Sequence, residues 1–214
     1  MTILAPKLLL DKYKNLHQAR KYLSISNKKW NIIRISNWIY ITKEHEKEEL
    51  YNIANMLVQN SYISLHTVIW NEWIFTEIVN PNIITSITTT RRPRKYKIKI
   101  DNLKTITFSY NNISKDLFWL PKSFNPLFST YLVATKEKAL IDFLHLDTQK
   151  RKFKDDNDIK EWLKSLRLQL DDFNWDLFIS YIDEIKKFNS HYNKLKKILL
   201  ILFQERQYID FFEN

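Results

Sequence analysis

Apolar positions along this chain follow two rhythms, and the switches between them predict its elements. Leu9, Tyr13, Leu16 and Leu23 recur at helical spacing over residues 7–23, with Lys12, Lys14 and Lys21 on other faces. Ser24, Ile25, Ser26 and Asn27 predict the end of that helix. Residues 30–35 and 38–41 are β-rich runs parted by Ser36 and Asn37, the pattern of a hairpin. Thr42 is a candidate cap for a second helix, with Glu44, Glu46 and Glu48 near its start and Leu50, Ile53, Ala54 and Leu57 along one face. After Asn60, Ser64 is the candidate N-cap of a third helix. Its apolar face would hold Leu65, Val68, Ile69 and Trp73.

The rhythm then changes to that of strands. Residues 83–90 are rich in β-branched side chains, and residues 96–100 and 105–110 alternate with period two. An antiparallel meander with one wet face is expected. Residues 117–129 contain proline and several aromatics and are expected to be loop. Residues 131–133 return as a strand and feed a helix capped by Thr135, with Glu137 in the first turn, where the helix dipole favours an acid. Ala139, Leu140, Phe143 and Leu144 give that helix its buried stripe. Lys138 and Asp142, four apart, are expected to pair on its outer face. A charged linker over residues 150–158 leads to three helices near 158–170, 174–188 and 192–206. Their stripes are Ile159, Trp162, Leu163 and Leu166; Trp175, Phe178, Ile182 and Ile185; and Leu195, Ile198, Leu199 and Leu202. The fold class expected is α+β: an antiparallel sheet flanked by helices, then a C-terminal helical bundle.

Composition narrows the chemistry. The chain has 214 residues, no cysteine and no glycine. Disulfides and thiolate chemistry are therefore excluded, and so are the phosphate-cradling loops that depend on glycine. Asparagine is the usual substitute at positive φ, so Asn37, Asn60, Asn111–Asn112 and Asn189 are expected to mark turns. No apolar run approaches the roughly 18 residues of a membrane span. The first six residues carry no basic leader, and a cytoplasmic protein with no membrane partner is expected.

The net charge of +10 is unevenly placed: residues 1–50 hold ten basic against five acidic groups, and residues 91–115 eight against one. Localised positive charge points to a polyanion. Arg91, Arg92, Arg94, Lys95, Lys97 and Lys99 are the expected main phosphate contacts, the lysines on one strand face and the arginines in the loop before it. Lys28, Lys29 and Arg34 are expected to be secondary. No cofactor is expected. His45 and His66 lack metal-ligand spacing. Asp155, Asp156 and Asp158 lack the glycine turn and terminal glutamate of a calcium loop and fit a helix start. Glu137 and Lys138 suggest a nuclease pair, but neighbours on a helix point about 100° apart. The chain is therefore expected not to be an enzyme.

Two stretches carry a family resemblance. Ser61, Tyr62, Ser64, Leu65 and His66 match one helix-start signature; Glu137, Lys138, Ala139, Leu140 and Asp142 match a second. Asp172-Phe173-Asn174-Trp175 and Phe188-Asn189-Ser190 extend the match over roughly residues 30 to 200. Together they resemble the AbiEi-type antitoxins of type IV (abortive infection) toxin–antitoxin systems. The resemblance implies an antitoxin that opposes a nucleotidyltransferase-type toxin without a stable complex and represses its own operon by binding double-stranded DNA. It implies a winged helix at the N-terminus, which here is reduced. A full one needs about three helices before the hairpin, and the pattern supplies one. Residues 1–42 would be that reduced winged-helix-like segment. Residues 43–214 would be the antitoxin domain, with an α/β part to residue 150 and a helical part from 151. The signature residues themselves read as mainly structural. The rival expectations are a nucleic-acid-binding transcriptional regulator without a toxin and, third, a nuclease.

Overall fold

The protein is described here by a computed structural model, which describes residues 3–4, 15–28, 32–36, 39–42, 47–74, 80, 82–90, 94–99, 105–120, 124 and 131–212. The fold is mixed α+β, as the two rhythms predict. Near the N-terminus, strand β1 (Ile3–Leu4), helix α1 (Leu16–Lys28), β2 (Ile32–Ser36) and β3 (Ile39–Thr42) build a three-stranded antiparallel sheet in the order β1-β3-β2. The expected hairpin is β2–β3, with a register shift between Arg34 and Ser36. Helix α1 does not stop at Ser24–Asn27 but runs to Lys28. Polar residues weaken a helix without ending it, and Leu23 anchors this one in a small core with Ile32 and Tyr40. Among the described residues, α1 is the one helix before the hairpin.

The larger part begins with α2 (Lys47–Leu57), β4 (Ser61–Ile63) and α3 (His66–Asn71). Strands β5 (Ile83–Thr88), β6 (Arg94–Lys99) and β7 (Thr105–Asn112) follow, then a short α4 (Lys115–Phe118) whose last two residues fall in the stretch expected to be loop. The strand order is β4-β5-β7-β6. The expected antiparallel meander is therefore corrected to a mixed sheet: β5 and β7 are parallel neighbours, and β6 lies outside β7. Period-two alternation fixes which face a side chain takes, and says nothing about strand order. Asn111 and Asn112 end β7 and do not form a turn; the Asn112 amide donates to the carbonyls of Thr88 and Thr90. Residues 131–133 are not a full strand. Val133 makes a single parallel bridge to Ile63, on the outer side of β4.

Helix α5 (Lys136–Gln149) then lies over the sheet, and α6 (Asp156–Ser165), α7 (Trp175–Lys186) and α8 (Asn193–Phe212) close the chain. Their stripes pack largely as the periodicity predicts: Ile159, Trp162, Leu163, Phe178, Ile182, Ile185, Leu195, Ile198, Leu199 and Leu202 are buried in one core with Tyr62, Leu65, Phe108 and Leu140, while Leu166, just past the end of α6, and Trp175 are half-buried against it. Among the described residues no helix is long and apolar enough to cross a membrane.

With no glycine in the chain, positive φ falls, among the described residues, on Asn60, Leu65, Trp73 and Arg167. Asn60 follows the expectation that asparagine takes such positions, and Asn37 lies outside the described residues. Leu65, at φ 57° and ψ −140°, occupies the N-cap position of α3 in place of Ser64. Its conformation is one that a branched-chain residue adopts only when packing imposes it. Helix α3 ends at Asn71, which leaves Trp73 off its buried face and 73% exposed.

Candidate functional site

The two signature stretches meet inside the protein. Strand β4 alternates, so Tyr62 and Ser64 point to the face of the sheet that α3 and α5 cover, and Ile63 points to the other. On α5, Lys138 and Asp142 lie one turn apart and face Tyr62 and Ser64. The Tyr62 hydroxyl donates to Asp142 Oδ2 at 2.8 Å, and the Ser64 hydroxyl donates to the same oxygen at 2.7 Å. Lys138 Nζ donates to the Tyr62 oxygen at 2.6 Å and forms an ion pair with Asp142 Oδ1. All four side chains are fully buried. Pairing on the outer face is thus corrected to pairing in the interior. Helical spacing brings residues i and i+4 together, and only tertiary packing decides which way they point.

Burial governs the electrostatics. Loss of solvent pushes the Asp142 carboxyl above its usual range, opposed by the Lys138 charge and by hydrogen bonds from Lys138, Ser64 and Tyr62. The same loss pushes Lys138 down, opposed by Asp142. Tyr62 is pushed well up by burial and by Asp142, so its phenol keeps the proton it donates. The pair is electrically neutral and closely hydrogen-bonded, the condition under which buried charges are tolerated.

Around this cluster, caps are supplied by distant residues. Thr85 of β5 accepts the Thr67 N–H at 3.0 Å and donates to the Ser64 carbonyl at 2.7 Å, so the start of α3 is satisfied by the neighbouring strand. The Ser64 hydroxyl, expected to do this, serves Asp142 instead. Thr135 caps α5 as expected, accepting from the Lys138 N–H at 3.2 Å. Glu137 is not simply a dipole-compensating acid: it is buried, and its Oε1 accepts the Asn174 N–H at 2.9 Å, tying α5 to the start of α7. Ser61 donates to the Val58 carbonyl, Leu65, Ala139 and Leu140 are core, and His66 starts α3 with its ring edge-on to Phe143. Asp155 caps α6 through the Asp158 N–H, which accounts for that acidic run. Among the described residues no group of metal-ligating side chains comes together. The cleft beside Trp73 holds about 80 Å³ and is lined by Glu72, Lys136, Asp171 and Asp172 among others. None of the four clustered side chains lines it.

The basic residues lie elsewhere. Arg94, Lys95 and Lys97 are exposed on β6, the outer strand of the larger sheet. Arg94 is the first residue of that strand and not part of the preceding loop. Its register partner is Tyr110, so it shares a face with Tyr96 and Ile98, opposite Lys95 and Lys97. Lys99 ends β6, but its side chain lies outside the described residues, as do Arg91, Arg92 and Lys29. Lys28 ends α1 and Arg34 lies in β2. The backbone of β2 runs close to β6, which brings those two segments of the basic sequence together. Nothing in the sequence indicated the Thr67–Thr85 contact or the inward turn of Asp142, since both depend on which strand sits beside which helix.

No family model matches this chain, and no curated protein does. Among solved structures, one from H. pylori, provisionally described as a nucleotidyltransferase, is similar at 14% identity, over 77% of this chain and 92% of the other. The TM-score is 0.36, too low for any argument about shared fold or activity.

Proposed function

We propose that this protein is the antitoxin of a type IV toxin–antitoxin system, similar to the AbiEi type, and that it opposes a nucleotidyltransferase-type toxin without binding it stably. The observation that supports the reading is the meeting of the two signatures. Tyr62 and Ser64 from the first and Lys138 and Asp142 from the second, about eighty residues apart in sequence, form one buried cluster. Resemblance at two separate stretches carries more weight when both belong to one structural unit. The four side chains are out of contact with solvent, which supports a structural role for them, holding α5 on the sheet. The protein acts without catalysis of its own. The test is co-expression of the full-length chain with a nucleotidyltransferase encoded beside it. Growth is restored in the presence of the chain, and failure to restore it overturns the reading.

A second reading, nucleic-acid binding with or without a toxin, is supported by a separate observation: the exposed Arg94, Lys95 and Lys97 on β6. The N-terminal segment has one described helix before its hairpin, so the contact with DNA is assigned to this strand rather than to a recognition helix. Binding of double-stranded DNA at low salt, weakened as salt rises, is the expected behaviour.

A further inference from the structure

Helices α3 and α5 do not cover the whole face of the larger sheet. They lie over its β4–β5 half, where Tyr62 and Ser64 meet Asp142 and Thr85 meets Thr67. The same face continues onto β7 and β6. The register identifies its residues there: Thr85 pairs with Ser109, Ser109 with Lys95, and Thr107 with Lys97. Thr105 and Lys99 are the next pair along. On this half-face Lys95, Lys97 and Thr105 are exposed, and Thr107 and Ser109 are half-buried. The opposite face of the same two strands holds Ile98, Ile106, Phe108 and Tyr110, all buried. Apart from Arg94, exposed at the start of β6, one side of these strands forms core and the other a polar ledge.

We propose that this ledge is a binding surface for the sugar–phosphate backbone of a nucleic acid duplex, read without regard to sequence. Each lysine stands beside a hydroxyl on the neighbouring strand, at the ~4.8 Å spacing of paired strands, and the two lysines are about 7 Å apart along β6. That arrangement offers ammonium groups and hydroxyl donors together, the two side-chain types that proteins direct at phosphate oxygens. Its described residues include no aromatic: Tyr96 and Tyr110 both face the other side. A surface for single strands requires rings on which bases stack, so the ledge is fitted to a duplex. The sequence pattern supplies the lysines, and the fold adds the hydroxyls of β7 and removes Arg94 from the same surface.

This inference deepens the nucleic-acid reading above and rests on it, but it requires no toxin. The test is fluorescence anisotropy with the full-length chain, a mixed-sequence DNA duplex and its separated strand, at several salt concentrations. The wild-type chain binds the duplex more tightly than the strand. K95Q/K97Q weakens duplex binding at least tenfold and lowers the salt slope by about two, one phosphate per lysine. T107V/S109A weakens binding a few-fold and leaves the slope unchanged, because no charge is lost. K186Q/K187Q, which removes two exposed lysines from the other end of the sequence, leaves binding and slope unaltered. Circular dichroism confirms that each variant is folded. Equal losses in K95Q/K97Q and K186Q/K187Q, or tighter binding of the single strand, overturn the proposal. Toxin rescue is scored separately, so loss of DNA binding with rescue intact leaves the antitoxin reading standing.

Discussion

Asp142 shows most clearly what one residue does here. Its carboxylate accepts from Tyr62, Ser64 and Lys138 with all four side chains out of contact with water. Removing one member of a buried ion pair leaves the other charge uncompensated, at a cost of about 3–5 kcal/mol. D142A is therefore expected to shift the urea midpoint strongly, whereas the apolar double substitution K138M/D142L costs much less. Equal losses in the two variants would mean that packing volume, not charge, dominates. His145 makes a second prediction. It is buried against Tyr192, and Gln149 hydrogen-bonds its ring. Burial, with the charges of His191 and Lys138, pushes its pKa down to about 4. The unfolded chain then binds a proton that the folded one does not. The stabilising effect of the neutral ring is complete above pH ~6.5 and is lost as pH falls toward ~4, by up to about 3 kcal/mol. Unfolding measured across this window should flatten in H145Q; an unchanged slope would assign the effect elsewhere.

At the scale of elements, α5 does the most. One face carries Ala139, Leu140 and Leu144 into the core, the cluster residues meet the sheet, and Glu137 holds the start of α7. Since Leu140 is fully buried, L140A should cost about 2–5 kcal/mol, the range for a leucine truncated in a packed core. A urea midpoint indistinguishable from wild type would contradict the placement of this stripe. Helix α3 is the contrasting case. It spans six residues, begins at a strained Leu65 and depends on Thr85 for its first-turn hydrogen bond. A helix this short has little stability of its own; packing and a neighbouring strand hold it in place.

For the molecule as a whole, two apolar clusters are separate among the described residues. One contains Leu23, Ile32 and Tyr40, and the other holds nearly everything from Tyr51 onward. Both signatures lie in the second. If neutralisation belongs to residues 43–214, that fragment restores growth against the adjacent toxin and residues 1–42 do not. A folded 43–214 fragment that fails beside a full-length chain that succeeds would place the activity across both parts.

Local pattern determined a good deal of this. The stripes of α6, α7 and α8, the cap at Thr135, the β2–β3 hairpin and the exposure of Lys95 and Lys97 all follow from periodicity or from the chemistry of a single residue type. These depend on neighbours within one or two turns, so a linear reading reaches them. The signature residues were likewise visible, and all of them but His66 are buried. Tertiary structure decided the rest. Strand order made the sheet mixed and placed β7 between β5 and β6. It also put Thr85 under the start of α3, leaving Ser64 to serve Asp142. The inward turn of Lys138 and Asp142 was hidden for the same reason. Two charges four residues apart are placed identically along a helix whether they face water or core, and only the partners across the sheet make the buried position tolerable.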